Sequence, residues 1–316
     1  MRISTTMLSW IGVLLAVCLA FLCTDYRLFQ LTLLVAYAIA ILGLNIVTGF
    51  NGQISLGHGA FYAIGAYVTA ILMDKYDVPY WATLPPSAVV CGVVGFLIGL
   101  PALRLAGLYL ALTTFALAVA IPQVLKHPLL EHWTGGVQGI VIAKPTPPFG
   151  LPLSEDQWLY LFSLGVAVIV FVLARNLLRG RMGRAMVAIR EQPLAAEAMG
   201  IDIALLKTGT FAISAIVTGI AGSLGAIAIQ FVAPDSFTVF LSIFLFVGLV
   251  VGGVASISGA VAGAAFIVFI PNVADQVSKA APGAVYGVLL IALLYLMPAG
   301  VAGFLRHIGA RVLRKA

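Results

Sequence analysis

Ten stretches of this chain are apolar and nearly free of charge: residues 7–23, 28–48, 54–73, 81–103, 106–125, 157–174, 208–230, 238–256, 259–275 and 284–305. A helix needs about 20 residues to cross the hydrocarbon core of a bilayer, and these stretches are close to that length. They lack the strict apolar/polar alternation of a barrel strand. Because lipid leaves every backbone N–H and C=O to be satisfied within its own segment or in a closed barrel, the pattern predicts an all-α membrane protein. The expected architecture is a single polytopic helical bundle over 1–316. It has about ten transmembrane helices, or eight if some stretches form re-entrant hairpins. The first stretch is expected to be a retained helix rather than a signal peptide, since no small-residue cleavage pattern precedes Asp25 and a second span follows at once.

Polar and small residues interrupt this pattern most strongly in NGQISLGHGAFYAIGAY (51–67), which holds Asn51, Gln53, Ser55 and His58 together with four glycines. On a helix, with about 100° between residues, Asn51, Ser55, His58 and Tyr62 fall within about 60° of one another. Gly52, Gly59, Ala63, Ala66 and Ala70 gather on a second face, and large apolar residues fill most of the remainder. The small face lets another helix approach closely. The polar face must look into protein or water, because an unpaired polar group in hydrocarbon is costly. Two roles stay open for it. The side chains either link helices and satisfy backbone freed at Gly52 and Gly57, or line a solute pathway at a broken helix, as transporters arrange. His58 is open to the same division, between a hydrogen-bonded packing residue and a proton carrier. Ser256 and Ser258 in GGVASISGAVAG (252–263) form a similar Gly/Ser interruption and join the candidates.

Composition narrows the class. Charged residues make up 9% of the chain and hydrophobic ones 62%, with a mean hydropathy of +1.13. An ordinary soluble domain carries about 25% charged residues. Cys18, Cys23 and Cys91 all fall in expected spans and read as small packing residues. Loop 175–207 holds six basic residues and the tail from Arg306 four, together ten of the 17 Lys and Arg. Basic residues concentrate on the cytoplasmic side, so both segments, and both termini, are expected there. Loop 126–156, with Lys126 and Lys144 against Glu131, Glu155 and Asp156, is expected outside, in the periplasm. The net charge of +6 follows from this bias and implies no nucleic-acid partner, since no basic stripe with interleaved aromatics occurs.

The missing motifs exclude several chemistries. No G-x-x-x-x-G-K-[ST] is present, so no ATP site of the P-loop kind is expected on this chain. H-E-x-x-H, paired cysteines at metal spacing and G-x-S-x-G are also absent, so neither a metal nor another cofactor is expected. All eleven Asp and Glu residues sit in loops or at span ends. Proton- and ion-coupled carriers place such groups within the membrane. Transport by this chain would therefore draw its energy from another chain, and a stand-alone channel is the alternative class.

Loop 175–207 carries its own helix punctuation. Pro193 suits a first helical position and Gly200 the left-handed residue just past an end, with a helix of about two turns between them. A helix so short is unstable alone and needs a partner surface. Leu194, Ala198 and Ile201 would offer an apolar edge, with Glu197 beside it. The partner is either a separate protein or the bundle and headgroups beside it.

The chain resembles the membrane-spanning M-type (LivM-like) permeases of ABC importers for branched-chain amino acids. The resemblance covers essentially the whole length and rests on ordered blocks. These are GFNGQISLGHGAFYAIGAY (49–67), LRLAGLYLALTTFA (103–116), TGGVQGI (134–140), GRAMVAIREQPLAAEAMGID (183–202), APDSFT (233–238), GGVASISGAVAGAAF (252–266) and YGVLLIALLYLMPAGVAG (286–303). It implies a subunit in a bacterial inner membrane that pairs with a homologous H-type permease, two cytoplasmic ATPases and a periplasmic solute-binding protein. The ATPases would use ATP and magnesium. Within the same architecture the alternative is an importer for urea, amides or other small polar solutes. The resemblance also implies that 183–202, including Arg190, Leu194, Glu197, Ala198 and Gly200, docks on the ATPase like the EAA-type loop of ABC permeases. The sequence departs from that pattern, since Gly200 follows Glu197 by only three residues. The short-helix geometry carries over rather than a role for Glu197 itself.

Overall fold

A computed structural model describes residues 5–304 apart from 104, 106, 149–151, 278 and 280. The helices are α1 (Thr5–Leu22), α2 (Asp25–Leu44), α3 (His58–Tyr76), α4 (Leu84–Ala102), α5 (Leu108–Leu125), α6 (Pro128–Thr134) and α7 (Glu155–Arg179). They continue with α8 (Arg181–Glu191), α9 (Pro193–Ala198), α10 (Ile203–Ile229), α11 (Val239–Gly252), α12 (Ile257–Val277) and α13 (Pro282–Leu296). Each of the ten expected stretches contains a helix. Among the described residues, eight helices are long and apolar enough to cross a membrane. Helix α3 falls outside that group, and in α1 the stretch Gly12–Leu22 is apolar. Helix α3 carries His58, buried among protein, and Asp74 and Lys75, which are exposed at its far end.

Helix α10 is the axis of the bundle, packed against α2, α3 and α4. The membrane-length windows of α2 and α10 are each 72% buried, against 6% for α13, which places the first two at the centre and the last at the rim. Contacts at the axis are close because small residues meet. A Cβ at Gly222 of α10 would overlap the backbone carbonyl of Tyr62 on α3. Polar links fill the same seam. The Ser223 hydroxyl lies 2.7 Å from Ser87 Oγ on α4 and 3.2 Å from the Gly65 carbonyl on α3. Close backbone approach and interhelical hydrogen bonds replace the hydrophobic effect, which gives little between helices already in hydrocarbon.

One end of the bundle carries α6 and a short strand pair. Ile140–Val141 (β1) pairs antiparallel with Phe231–Val232 (β2), with Ile140 opposite Val232. Lys126 Nζ meets Asp235 Oδ1 at 2.5 Å and Lys144 Nζ meets Asp156 Oδ2 at 2.8 Å. Helix α7 starts in a capping box in which Ser154 Oγ accepts from Gln157 N–H, while Gln157 Oε1 accepts from Ser154 N–H. The Ser154 hydroxyl also donates to Asp25 at 2.9 Å. The opposite end carries α8, α9 and the first turn of α10.

The seam predicts an asymmetry between two glycines of one helix. Gly222→Ala, which needs room that Tyr62 occupies, is expected to destabilise the detergent-solubilised protein by about 1–3 kcal/mol. Gly209→Ala, where the added methyl meets nothing within 4 Å, is expected to be neutral or to stabilise by up to about 1 kcal/mol. Thermal unfolding of the two variants checks this, and equal losses would contradict the packing described.

Candidate functional site

The candidate site is a polar joint where two helix breaks meet. Helix α2 does not stop at Leu44 but widens into a π-turn, Asn45–Phe50, a form that concentrates at functional positions. The chain then leaves the helix through Gly52 at φ +73°, a left-handed conformation that glycine adopts at no steric cost. Residues 53–57 are irregular, and α3 begins at His58. The expectation of one helix through 51–70 is thus corrected. Gly52 and Gly57 break it, and Asn51 and Ser55 do not share a helical stripe with His58 and Tyr62.

Breaking a helix inside a membrane protein frees backbone groups, and here side chains take up many of them. Gln53 N–H turns back to the Val47 carbonyl at 3.0 Å, and the Thr48 hydroxyl donates to the Gln53 carbonyl at 3.0 Å. Leu56 N–H donates to Thr114 Oγ1 of α5 at 2.9 Å, and Gly59 N–H to Ser242 Oγ of α11 at 2.9 Å. Gly57 N–H reaches Ser55 Oγ at 3.3 Å. These donors at the start of α3, which in a half-helix site would face a ligand, are spent on protein hydroxyls.

His58 sits within this joint and is 1% exposed. The Ser214 hydroxyl of α10 lies 2.6 Å from the Gly43 carbonyl, which can only accept, so the hydroxyl donates there. His58 Nε2, 2.6 Å from Ser214 Oγ, is then assigned as the donor to it. That leaves Nδ1 as the acceptor for the Ser55 hydroxyl at 3.0 Å. The run Gly57, Ser55, His58, Ser214, Gly43 is a directed chain in which both ring nitrogens are engaged. Phe61 and Phe211 pack round the ring, with centroids 5.6 and 6.2 Å away.

Asn45 joins the second break to the first. Its Oδ1 accepts from Ala255 N–H at 2.9 Å, and its Nδ2 donates to the Ser256 carbonyl at 2.8 Å. Ala255 has φ +57°, so the α11–α12 bend is a non-helical corner held by one buried amide. Ser256 Oγ accepts from Gly259 N–H at 3.3 Å, opening α12, and lies 3.3 Å from Ser258 Oγ.

The remaining candidates are distributed around this joint. The Gln53 amide donates to the Lys207 carbonyl at 3.3 Å, tying the joint to the second turn of α10. Asn51 is buried, and neither side-chain atom has a hydrogen-bond partner among the described residues. Tyr62 lies one turn into α3, stacked on Tyr37 at 5.9 Å and away from the break. In the 175–207 segment, α9 starts with Pro193 and is followed by Gly200 at φ +80°, as the punctuation predicts. Leu194 is 82% exposed, and Glu197, Ala198 and Gly200 are also exposed. Helix α9 buries Ala196 instead. Beside it an open cleft of about 550 Å³ is lined by Leu103, Glu197, Asp202 and Lys207 among others. Arg190 is exposed, and its Nη1 donates to the Gly49 carbonyl at 2.7 Å.

Sequence reasoning missed Asn45, Thr114, Ser214 and Ser242. Asn45 had a signal, as the lone amide in the otherwise apolar run between Leu31 and Val47. The hydroxyl residues had none, because a Ser or Thr in a membrane helix can as well bond its own helix.

The fold and this joint define a multi-pass helical membrane protein built on broken helices. The family model for the permease component of branched-chain amino acid transport systems matches residues 26–298, and the chain belongs to that family. It is 38% identical over 251 residues to the high-affinity branched-chain amino acid transport system permease protein LivM of Salmonella typhimurium, covering 71% of this chain and 58% of that protein. The chain thus spans under two thirds of the length of that relative. It is 25% identical to the probable branched-chain amino acid transport permease LivM of Methanocaldococcus jannaschii, with 84% of this chain and 90% of the relative covered. To the high-affinity permease LivH of Escherichia coli it is 26% identical over 84% of this chain and 91% of the relative. No solved structure matches the chain.

Two substitutions test the joint. Asn45→Leu strands the Ala255 N–H and the Ser256 carbonyl, and is expected to cost about 2 kcal/mol or more in thermal unfolding, since an unmade buried hydrogen bond costs about 1–3 kcal/mol. His58→Leu should also lower stability, yet leave the pH profile in a solute-uptake assay unchanged, because both ring nitrogens bond inside the protein. A pH profile that flattens in His58→Leu would show that the ring carries a proton.

Proposed function

We propose that this chain is the M-type permease subunit of an ATP-driven importer for branched-chain amino acids, forming part of the pathway for leucine, isoleucine and valine. The observation that carries this is the family match through 26–298 together with 38% identity to a LivM permease. The likeness to LivH relatives over 84% of the chain supports pairing with a homologous H-type permease, since two such chains share one architecture. Two ATPases and a periplasmic binding protein complete the complex. No nucleotide is held by this chain; ATP and magnesium act on the ATPases, in keeping with the missing P-loop. Charge asymmetry supports an inner-membrane orientation with both termini and 175–207 in the cytoplasm and 126–156 in the periplasm. In that orientation α9 presents Leu194, Glu197 and Ala198 to the ATPase, and the buried Ala196 seats the helix. The polar joint lies at the cytoplasmic end, where His58, Ser55 and Gln53 hold the broken helix together. Any part that Asn51, Tyr62, Ser256 or Ser258 plays in the pathway is secondary to that.

Uptake of radiolabelled leucine into vesicles containing the whole complex tests the function. ATP-dependent accumulation is expected with this subunit present and none without it; accumulation without it would contradict the assignment. Leu194→Asp or Ala198→Asp is expected to leave the permease inserted while separating ATP hydrolysis from uptake. Unchanged solute-stimulated hydrolysis and uptake in both would exclude α9 as the docking element.

A further inference from the structure

We infer that Arg190 is the link through which displacement of the α8–α9 segment reaches the helix break at 45–57. This rests on the importer reading above. Helix α8 is seated on the bundle by Met186 and Ile189, which are 0% and 2% exposed, whereas α9 beyond it offers an exposed surface. Arg190 lies in the last turn of α8, facing the membrane bundle. Its Nη1 donates to the Gly49 carbonyl at 2.7 Å. The last carbonyls of a helix lack partners within it, and a cation is favoured where they gather. Gly49 lies in such a place, because Gln53 N–H has turned to Val47. The guanidinium therefore caps the π-turn from outside the helix.

The fit of the arginine stem is as specific as that of its head. A Cβ at Gly52 would stand 2.6 Å from Arg190 Cγ, so the left-handed corner of the break is also the bed on which the arginine lies. On its other side Arg190 is fixed by its neighbour, with Nε and Nη2 donating to Glu191 Oε1 at 3.1 and 2.5 Å. A planar guanidinium holding two partners in fixed geometry passes a displacement on, where a flexible ammonium would absorb more of it. Four residues before Gly49, on the same π-turn, Asn45 grips the α11–α12 bend. Arg190 touches the first break, and Asn45 of the same π-turn joins that break to the second. Arg190 acts here as a positioning residue inside the subunit rather than as a surface contact for the ATPase.

The test uses vesicles of the complete complex carrying Arg190→Ala, Arg190→Lys, Gly52→Ala or the double variant Gly52→Ala/Arg190→Ala. Leucine accumulated per ATP hydrolysed and ATPase subunit retained on purification are both read. Arg190→Ala and Gly52→Ala are each expected to lower leucine moved per ATP about tenfold, within the range by which residues along a coupling path act. Arg190→Lys should fall between, the double variant should be no worse than Arg190→Ala, and ATPase retention should match wild type. Wild-type leucine per ATP in Arg190→Ala, or additive losses in the double variant, would overturn the link. So would loss of the ATPase from Arg190→Ala, which would make the residue a docking contact. If Arg190→Ala does not insert, Arg190→Lys and Gly52→Ala decide by the same comparison. Wild-type vesicles that take up no leucine on ATP would overturn the importer reading itself, and with it the role of the link.

Discussion

Hydrocarbon offers no hydrogen bonds, so a helix may break within a membrane protein only where protein takes over the backbone groups it frees. This constraint organises the end of the bundle where the two breaks meet. The chain breaks between α2 and α3 and again between α11 and α12, and the two breaks are placed against each other. Asn45 serves the second from within the first, while Thr114 and Ser242 serve the start of α3 from neighbouring helices. His58 and Ser214 extend the same bonding toward α10. Each partner comes from a different helix, so these helices cannot shift independently without exposing a backbone group.

The axis of the bundle follows from that arrangement. Thr114, Ser214 and Ser242 reach the joint only if their helices lie close, and the close approach along α10 needs residues without bulk, as at Gly222 beside Tyr62. Outward-facing surfaces are under no such demand. Helix α4 turns Val89, Val93, Phe96, Leu97 and Leu100 outward, the large apolar side chains expected against hydrocarbon. Small and polar residues thus share the inside of this protein with large apolar ones such as Leu28, Ile39, Ile41, Phe61 and Phe211.

Much of this was legible in the sequence. Apolar length located a helix in each of the ten stretches, and Pro193 with Gly200 located α9, because those signals are local. The polar character of 51–67 was legible too, but its geometry was not. A wheel drawn through 51–70 assumes unbroken helix, whereas Gly52 at φ +73° ends the register that placed Asn51 and Ser55 beside His58. Tyr62 was grouped with the break for the same reason and lies with Tyr37 instead. Arg190 was read as part of the segment that docks on the ATPase, and nothing in the sequence signalled its contact with the helix break. Only the tertiary fold shows Gly49 and Gly52 beneath it. The likeness between the two Gly/Ser interruptions proved to be spatial, through a residue that belongs to neither quoted motif.

The central claim is that the two breaks are closed by internal hydrogen bonds rather than open to water. Amide hydrogen exchange of the intact protein in bilayer discs measures this directly at Leu56, Gly59 and Ala255, two of which lie outside any helix. Protection comparable to that of the α10 core is expected at all three, since each amide donates to a buried side chain. Exchange as fast as in an exposed loop would mean that the joint is open, and would contradict the structure described.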